Sequence, residues 1–254
     1  MLTIPLQSGS SGNCVYVEAG GVRLLIDAGI SGVSAQRRLA AAGRNITEVD
    51  AVLVSHDHAD HASCLGVYHR KFGLPIHVTQ KTLTAAGSRR PLGKIDSPCF
   101  FRAGETLHFG SVAIETVATP HDGADGVVFV IDDGRSRLGV LTDLGHVFAE
   151  LPAVIQSLDA VVLESNYDPD LLDDGDYPAF LKARIAGPNG HLSNFEAAEL
   201  LACANGRLRW ACLAHLSRDN NRPQLALKTH REILGRRLEL HVASRDEAID
   251  ALEV

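Results

Sequence analysis

The chain of 254 residues has no apolar run that approaches a membrane span, so no membrane partner is expected. It also has no excess of positive charge. With 24 Lys and Arg against 31 Asp and Glu, the formal net charge is −7, which argues against a wholly basic surface for indiscriminate nucleic-acid binding but leaves room for a local basic site. Cysteine is sparse: Cys14, Cys64, Cys99, Cys203 and Cys212 are odd in number, show no C-x-x-C spacing and read as reduced, mostly buried thiols. Cys212 falls within the strand-like Trp210 to Ala214 and belongs to the core. Cys64, one helical turn past His61, reads as a packed thiol rather than a ligand. The segment Met1-Leu2-Thr3-Ile4-Pro5-Leu6 has no basic region, no long apolar stretch and no small-residue cleavage site, so a cytoplasmic location is expected. No linker, low-complexity tract or sequence repeat divides the chain, and residues 1–254 are expected to form a single domain.

Short apolar runs organise what is present. Strands are expected at Cys14 to Glu18, Val22 to Asp27 and Ala51 to Ser55, with Gly20-Gly21 as a hairpin turn between the first two and helices at Val33 to Ala42 and Ala62 to Phe72. The centre is strand-rich, at Thr106 to Phe109, Val112 to Ala118, Val127 to Asp132 and Leu138 to Thr142. Helices follow at Val147 to Leu158, Tyr177 to Ile185, Asn194 to Ala204 and Pro223 to Leu234, with further strands at Ala160 to Leu163, Leu208 to Ala214 and Leu238 to Val242. Strand clusters bracketed by helices at both ends predict an α/β fold, a four-layer αββα sandwich.

The most telling segment is Ser55 to His61, S-H-D-H-A-D-H, which gathers three imidazoles and carboxylates into one turn-length stretch behind a buried strand. Two-residue periodicity puts His56 and His58 on one side. Asp60 and His61 fall where the chain enters a helix, so ligands face one cavity from two directions. Such an arrangement suits a pair of metal ions better than one.

At this point the sequence resembles the metallo-β-lactamase fold hydrolases. Ser8-Gly9-Ser10-Ser11-Gly12-Asn13, Leu24-Leu25-Ile26-Asp27-Ala28-Gly29, Thr119-Pro120-His121-Asp122, Leu141-Thr142-Asp143, Glu164-Ser165-Asn166-Tyr167-Asp168, Gly190-His191-Leu192-Ser193-Asn194 and Ala214-His215-Leu216-Ser217 with Asn220-Asn221 are similar, in order, to the YycJ/VicX branch. Those motifs span nearly the whole chain. The resemblance implies that His56, His58 and His121 hold one divalent ion, that Asp60, His61 and His215 hold a second, and that Asp143 bridges them. Zn2+ and Mn2+ both accept this mixed N/O set. A negatively charged bridge lowers the repulsion between cations only about 3.5–4 Å apart, and such a pair polarises a phosphoryl oxygen and generates hydroxide near neutral pH.

Asp60, which doubles as a ligand, and His191 are the catalytic candidates. In phosphodiesterases of this fold, including tRNA 3′-processing nucleases, a histidine in a similar H-x-[ST] segment contacts the scissile phosphate and protonates the leaving oxygen. His191 follows the turn Gly187-Pro188-Asn189-Gly190, whereas His215 follows a strand, which favours His215 as the ligand. Asp27, at the end of Leu24-Leu25-Ile26, reads as the residue that orients a ligand histidine, with a turn-initiating aspartate as the competing reading. Ser10, Ser11 and Asn13 lie in a Gly- and Ser-rich turn whose N–H groups suit an anion, although a plain loop is an equal reading. Asn194 sits where a Ser or Asn can cap a helix and counts as a further substrate contact. Lys182, Arg184, Arg218 and Arg222 read either as phosphate-binding or as solvated. Asp57 carries no assigned role, and His69, His77, His108, His146, His230 and His241 read as structural or surface residues.

The resemblance implies a 5′→3′ DNA exonuclease with a place in DNA mismatch repair, DNA being favoured over RNA. Only about twenty residues separate His121 from Asp143, too few for the tRNA-gripping arm of tRNA-processing relatives. The interval from Asp143 to His215 is likewise too short for the extra domain of RNase J-like nucleases. Competing readings are a small-molecule phosphodiesterase, or an ester, thioester or lactone hydrolase. Less favoured are a non-catalytic regulator, which would not need a complete ligand set, and a flavodiiron-type redox protein, which usually has glutamate at the place of His58.

Overall fold

The computed structural model describes residues 1–254. In chain order the elements are β1 (Leu2–Gln7), β2 (Cys14–Ala19), β3 (Val22–Ile26), α1 (Gly32–Ala41), β4 (Ala51–Leu53), α2 (Ala59–Ala62), α3 (Leu65–Phe72), β5 (Ile76–Thr79), α4 (Gln80–Arg89) and β6 (Cys99–Phe101). These are followed by β7 (Thr106–Phe109), β8 (Val112–Ala118), β9 (Val127–Asp132), β10 (Arg137–Leu141), α5 (Leu151–Ser157), β11 (Ala160–Glu164), α6 (Pro169–Asp174), α7 (Ala179–Ile185), α8 (Asn194–Ala202), β12 (Trp210–Ala214), α9 (Pro223–Leu234), β13 (Glu239–Val242) and β14 (Leu252–Glu253).

Two seven-stranded sheets form, in the orders β14-β1-β2-β3-β4-β5-β6 and β13-β12-β11-β10-β9-β8-β7. Strand parity explains how they stack. Cys14 and Tyr16 of β2, Leu25 of β3 and Val52 of β4 pack outward with Ala35 and Leu39 of α1 and Tyr68 of α3. Their neighbours Val15, Val17, Leu24, Ile26 and Leu53 turn inward and meet Phe129, Leu138, Val162 and Cys212 of the second sheet. That sheet's other face, with Val128, Val161, Leu163 and Leu213, packs under α5, α8 and α9. Three apolar layers between four structural layers make the αββα sandwich. Strands buried on both faces read as continuous apolar runs rather than alternating ones.

Several details differ from the sequence reading. The helix expected from Ala62 to Phe72 is interrupted at Ser63-Cys64, because the Cys64 N–H donates to the Ala28 carbonyl at 3.0 Å instead of continuing the helical ladder. His56 and His58 lie beyond β4 and converge through a loop, with His58 immediately preceding α2. Strands β1, β5 and β6 and helix α4 were not legible. Thr79 caps α4: its hydroxyl accepts from the Thr82 N–H at 3.2 Å. Cys14 and Cys212 are buried, but Cys99 and Cys203 are exposed, so the thiols are not mostly buried as expected.

Candidate metal centre

Asp27 follows β3, Ser55 to His61 follow β4, His121 follows β8, Asp143 follows β10, Glu164 ends β11 and His215 follows β12. Parallel pairing of β3 with β4, of β10 with β11, and of β11 with β12 brings these strand ends to one edge of the sandwich. Asp27, Asp143 and His215 adopt left-handed backbone, with φ of 65°, 58° and 55°. Non-glycine residues rarely do so, and three together mark local strain held in place by the sheets around the site. Gly29 lets the loops meet: a Cβ there would lie 1.6 Å from the Asp60 carbonyl oxygen.

His56, His58 and His121 form one cluster and Asp60, His61 and His215 another. Nδ1 of His58 lies 3.2 Å from Nε2 of His121. In the second cluster Oδ2 of Asp60 lies 3.5 Å from Nε2 of His61 and 3.4 Å from Nε2 of His215. Asp143 reaches both, with Oδ2 3.1 Å from Nε2 of His61 and Oδ1 3.5 Å from Nε2 of His121.

Each histidine presents one nitrogen to its cluster and engages the other outside it. His61 Nδ1 meets Asp27 Oδ2 at 2.7 Å, His56 Nδ1 meets the Ser55 hydroxyl at 2.9 Å, and His121 Nδ1 meets the Gly190 carbonyl at 2.8 Å. His58 Nε2 meets Asp122 Oδ1 at 3.2 Å, and Asp122 Oδ2 accepts from Arg184 Nε at 2.7 Å. On the far side of His215, Nδ1 lies 3.1 Å from the Asn166 amide and 3.5 Å from Glu164 Oε1. Such outer partners fix the tautomer and leave the inward lone pair for a ligand.

The residues fit bound metal on two counts. His56 Nε2 and Asp143 Oδ2 are buried without a hydrogen-bond partner, an expensive arrangement unless something else is bound there. The local field also favours positive charge. Burial alone would lower His61 and His215, but Asp143, Asp27 and Asp60 hold His61 well above its ordinary range, and Asp143, Asp60 and Glu164 raise His215 to about 10. His56 goes the other way, lowered by burial and by its neighbour His61.

Beside Asp143 stands His191, whose Nδ1 is 2.6 Å from Glu164 Oε1 and 3.5 Å from Asp143 Oδ1. Glu164 is fully buried. Burial would raise its pKa, yet His191 and then His215 hold it down to about 2, so it is an anion. Its Oε2 accepts from the N–H groups of Leu144 at 3.0 Å and Leu192 at 3.3 Å, which locks the carboxylate in place. His191 therefore has Nε2 as its free ring nitrogen. A cavity of about 330 Å3 lies over this floor, lined among others by Asp60, Asp143, His191, Arg89 and Arg184.

The beta-lactamase superfamily domain, as a sequence family, matches residues 22–215. The chain belongs to the metallo-β-lactamase superfamily. It is a metal-dependent hydrolase. It is similar to Exodeoxyribonuclease YycJ of Bacillus anthracis, 36% identical over 232 residues that cover 90% of this chain and 87% of the relative. It is similar also to Exodeoxyribonuclease WalJ of Streptococcus pneumoniae, 36% identical over 227 residues that cover 88% and 84%. Among solved structures, the metallo-β-lactamase fold protein YhfI of Bacillus subtilis superposes with a TM-score of 0.71 at 16% identity, covering 98% of this chain and all of that one, which speaks to the fold. No helix is long and apolar enough to cross a membrane.

The remaining candidates fall into different places. Ser10 and Arg184 line the cavity. Asn13 is buried beneath it, its amide nitrogen 2.9 Å from His61 Nε2 and 3.3 Å from Asp60 Oδ2, so it braces the metal-binding loop. Ser11 is exposed and accepts from Gln7. Asn194 is not a surface contact: it is fully buried, accepts from the Ser165 hydroxyl at 2.6 Å and bonds Asn221, while Ser193 caps α8 in a capping box with Glu196. Lys182 bonds the Asp173 carbonyl, Arg218 pairs with Asp246 at 3.0 Å, and Arg222 bonds the carbonyls of residues 218, 219 and 221; none of the three lines the cavity. Asp57, which had no assigned role, is a buried strut: Oδ1 accepts from the Ala124 N–H at 2.6 Å and Oδ2 pairs with Arg89 Nε at 2.5 Å. Glu164, Asn166, Asp122 and Ser55 were missed as site residues, although Glu164 stood in view as a carboxylate closing the apolar run Ala160 to Leu163.

Proposed function

We propose that the chain is a di-metal phosphodiesterase that removes nucleotides from DNA in the 5′→3′ direction. The observation that carries the reading is Asp143, placed within reach of both ligand clusters on the floor of one cavity. The relatives named as exodeoxyribonucleases turn that hydrolytic centre toward DNA. His56, His58 and His121 would hold one ion and Asp60, His61 and His215 the other, with Asp143 between them. When bound, two divalent ions supply Lewis acidity toward a phosphoryl oxygen and an acidified water.

The chain's own residues do the rest. Asp27, Ser55, Asp122 and the Gly190 carbonyl hold the ligand rings in a single orientation, so little reorganisation is needed when the substrate arrives. Arg184 and Arg89 place positive charge at the cavity wall where a phosphate enters. Glu164 fixes His191 through Nδ1 and leaves Nε2 as the ring nitrogen that can pass a proton to the departing 3′-oxygen. Single- and double-stranded DNA, RNA and bis-p-nitrophenyl phosphate, each offered to purified protein with Zn2+ or Mn2+, test the reading. DNA turned over faster than RNA supports it. Turnover of RNA alone, or of lactones and thioesters without DNA, overturns it.

A further inference from the structure

Charge is divided unevenly along the chain. From Ala62 to Ile95 there is no Asp or Glu, while Arg70, Lys71, Lys81, Arg89, Arg90 and Lys94 all fall there. From Leu138 to Leu181 the reverse holds: there is no Lys or Arg, and Asp168, Asp170, Asp173, Asp174 and Asp176 crowd into one short stretch. The fold brings both stretches to the rim of the cavity over the candidate metal centre. Arg89, the last residue of α4, lines it from the side of the first sheet, and Tyr177, next to Asp176, lines it from the side of the second. Tyr177 holds a further carboxylate there, donating its hydroxyl to exposed Asp219 at 2.6 Å.

The basic side is a built surface. Nη1 of Arg70 in α3 donates to the carbonyls of Leu92 at 3.0 Å and Lys94 at 2.9 Å, and Leu92 belongs to the apolar layer that holds Leu65 and Tyr68 of the same helix. Gly93 has a φ of 72°, and a Cβ there would lie 2.5 Å from Arg70 Nη1, so the loop closes over the guanidinium only without a side chain. Arg90 closes α4 through its backbone N–H and leaves its exposed guanidinium without a partner in the protein. Arg89 commits only Nε, to Asp57, and the pair of Lys94 with Asp96 at 2.7 Å is exposed, a kind of pair that gives way to a phosphate at little cost. Across the cavity, Lys182 turns back to the Asp173 carbonyl and Arg184 pairs with Asp122.

We propose that the end of α4 and the loop after it, Arg89 to Lys94, form the track along which the uncut remainder of the DNA leaves the metal centre, while the acidic stretch Asp168 to Asp176 closes the opposite path by repulsion. Phosphate contacts of this kind position a nucleic acid without reading its sequence. A chain of net charge −7 can hold a polyanion in this way because the positive potential is local to one side of the cavity. The proposal rests on the exonuclease reading above and adds the path of the substrate to it.

Equilibrium binding of the Mn2+-loaded protein to a fluorescent phosphorothioate duplex, which resists hydrolysis, provides the test when repeated over a range of KCl concentrations. Each B-DNA phosphate contact contributes about 0.9 to the slope of log K against log [KCl], so Arg90→Ala with Lys94→Ala is expected to lower that slope by about 1.8. Turnover of bis-p-nitrophenyl phosphate by the same variant is expected to stay at the parent rate. Arg236→Ala with Arg237→Ala removes equal charge from the loop before β13, at the far end of the second sheet from the metal centre, and is expected to leave the slope unchanged. Asp173→Asn with Asp174→Asn is expected to tighten binding at low salt. An unchanged slope in the Arg90 and Lys94 variant, an equal drop in the Arg236 and Arg237 variant, or weaker binding after the aspartate changes would overturn the track while leaving the exonuclease reading intact. A parent protein that turns over bis-p-nitrophenyl phosphate yet binds no duplex would overturn both.

Discussion

Buried Glu164 and partly buried His191 form a couple, with Oε1 and Nδ1 2.6 Å apart and only the histidine lining the cavity. A general acid held in this way is needed only when the leaving group is poor. His191→Ala should therefore lose about 10²–10⁴-fold on DNA while retaining its metal content. On bis-p-nitrophenyl phosphate, whose p-nitrophenolate leaves unprotonated, the loss should be much smaller. Equal losses on the two substrates would indicate phosphate binding instead, and loss of metal would make His191 a ligand.

Glu164→Gln keeps the size of the side chain and removes the anion behind His191. Activity on DNA is expected to fall roughly 10–100-fold, the range seen for partners behind active-site groups. On bis-p-nitrophenyl phosphate, whose leaving group needs no proton, the loss should be much smaller. Equal losses on the two substrates would confine Glu164 to holding the Leu144 and Leu192 N–H groups.

Asp27 bonds His61 from a left-handed backbone that asparagine also tolerates. Asp27→Asn should preserve the turn and weaken metal affinity by about 10–100-fold, read by competition with a chromophoric chelator. Affinity equal to that of the parent would leave Asp27 as a turn residue only. Gly29→Ala, by contrast, drives a methyl group into the Asp60 carbonyl and should destabilise the protein by ~1–3 kcal/mol or more in denaturant unfolding.

A separate pH effect resides in His230 of α9, far from any ligand motif in the sequence. Burial lowers its pKa to about 4, against the small opposing effect of the hydrogen bond from Nδ1 to the Ala226 carbonyl at 2.8 Å. The unfolded chain takes up a proton near pH 6.5 and the folded one only near 4, so protonation favours unfolding. The contribution is fully present above pH 6.5, falls as the pH drops toward 4, and amounts to about 3 kcal/mol over that window. His230→Leu should remove this part of the acid sensitivity. Parallel stability curves for the parent and the variant between pH 7 and 4.5 would contradict the account.

The sequence was most legible where chemistry is concentrated locally. Ser55 to His61 holds four of the seven proposed ligands within seven residues, and buried strands declare themselves as continuous apolar runs. What escaped depends on contacts distant in sequence. Glu164 meets His191 across 27 positions, Asp122 supports His58 across 64, and the break before α3 is set by the Ala28 carbonyl. The left-handed backbone at Asp27, Asp143 and His215 has no sequence signal, because none of the three is glycine. Asn194 was misplaced for a related reason: a polar residue at a helix start can face solvent or core, and here Ser165 and Asn221 draw it inward.

The proposed polarity and the shared role of Asp143 meet in one experiment, in which DNA labelled at its 3′ end is digested with metal-saturated protein and the products are resolved over time. A ladder of progressively shorter 3′-labelled fragments with release of mononucleotides is expected, abolished by chelation and by Asp143→Ala. Immediate release of the 3′ label as a mononucleotide, or unimpaired cutting by Asp143→Ala, would contradict the reading.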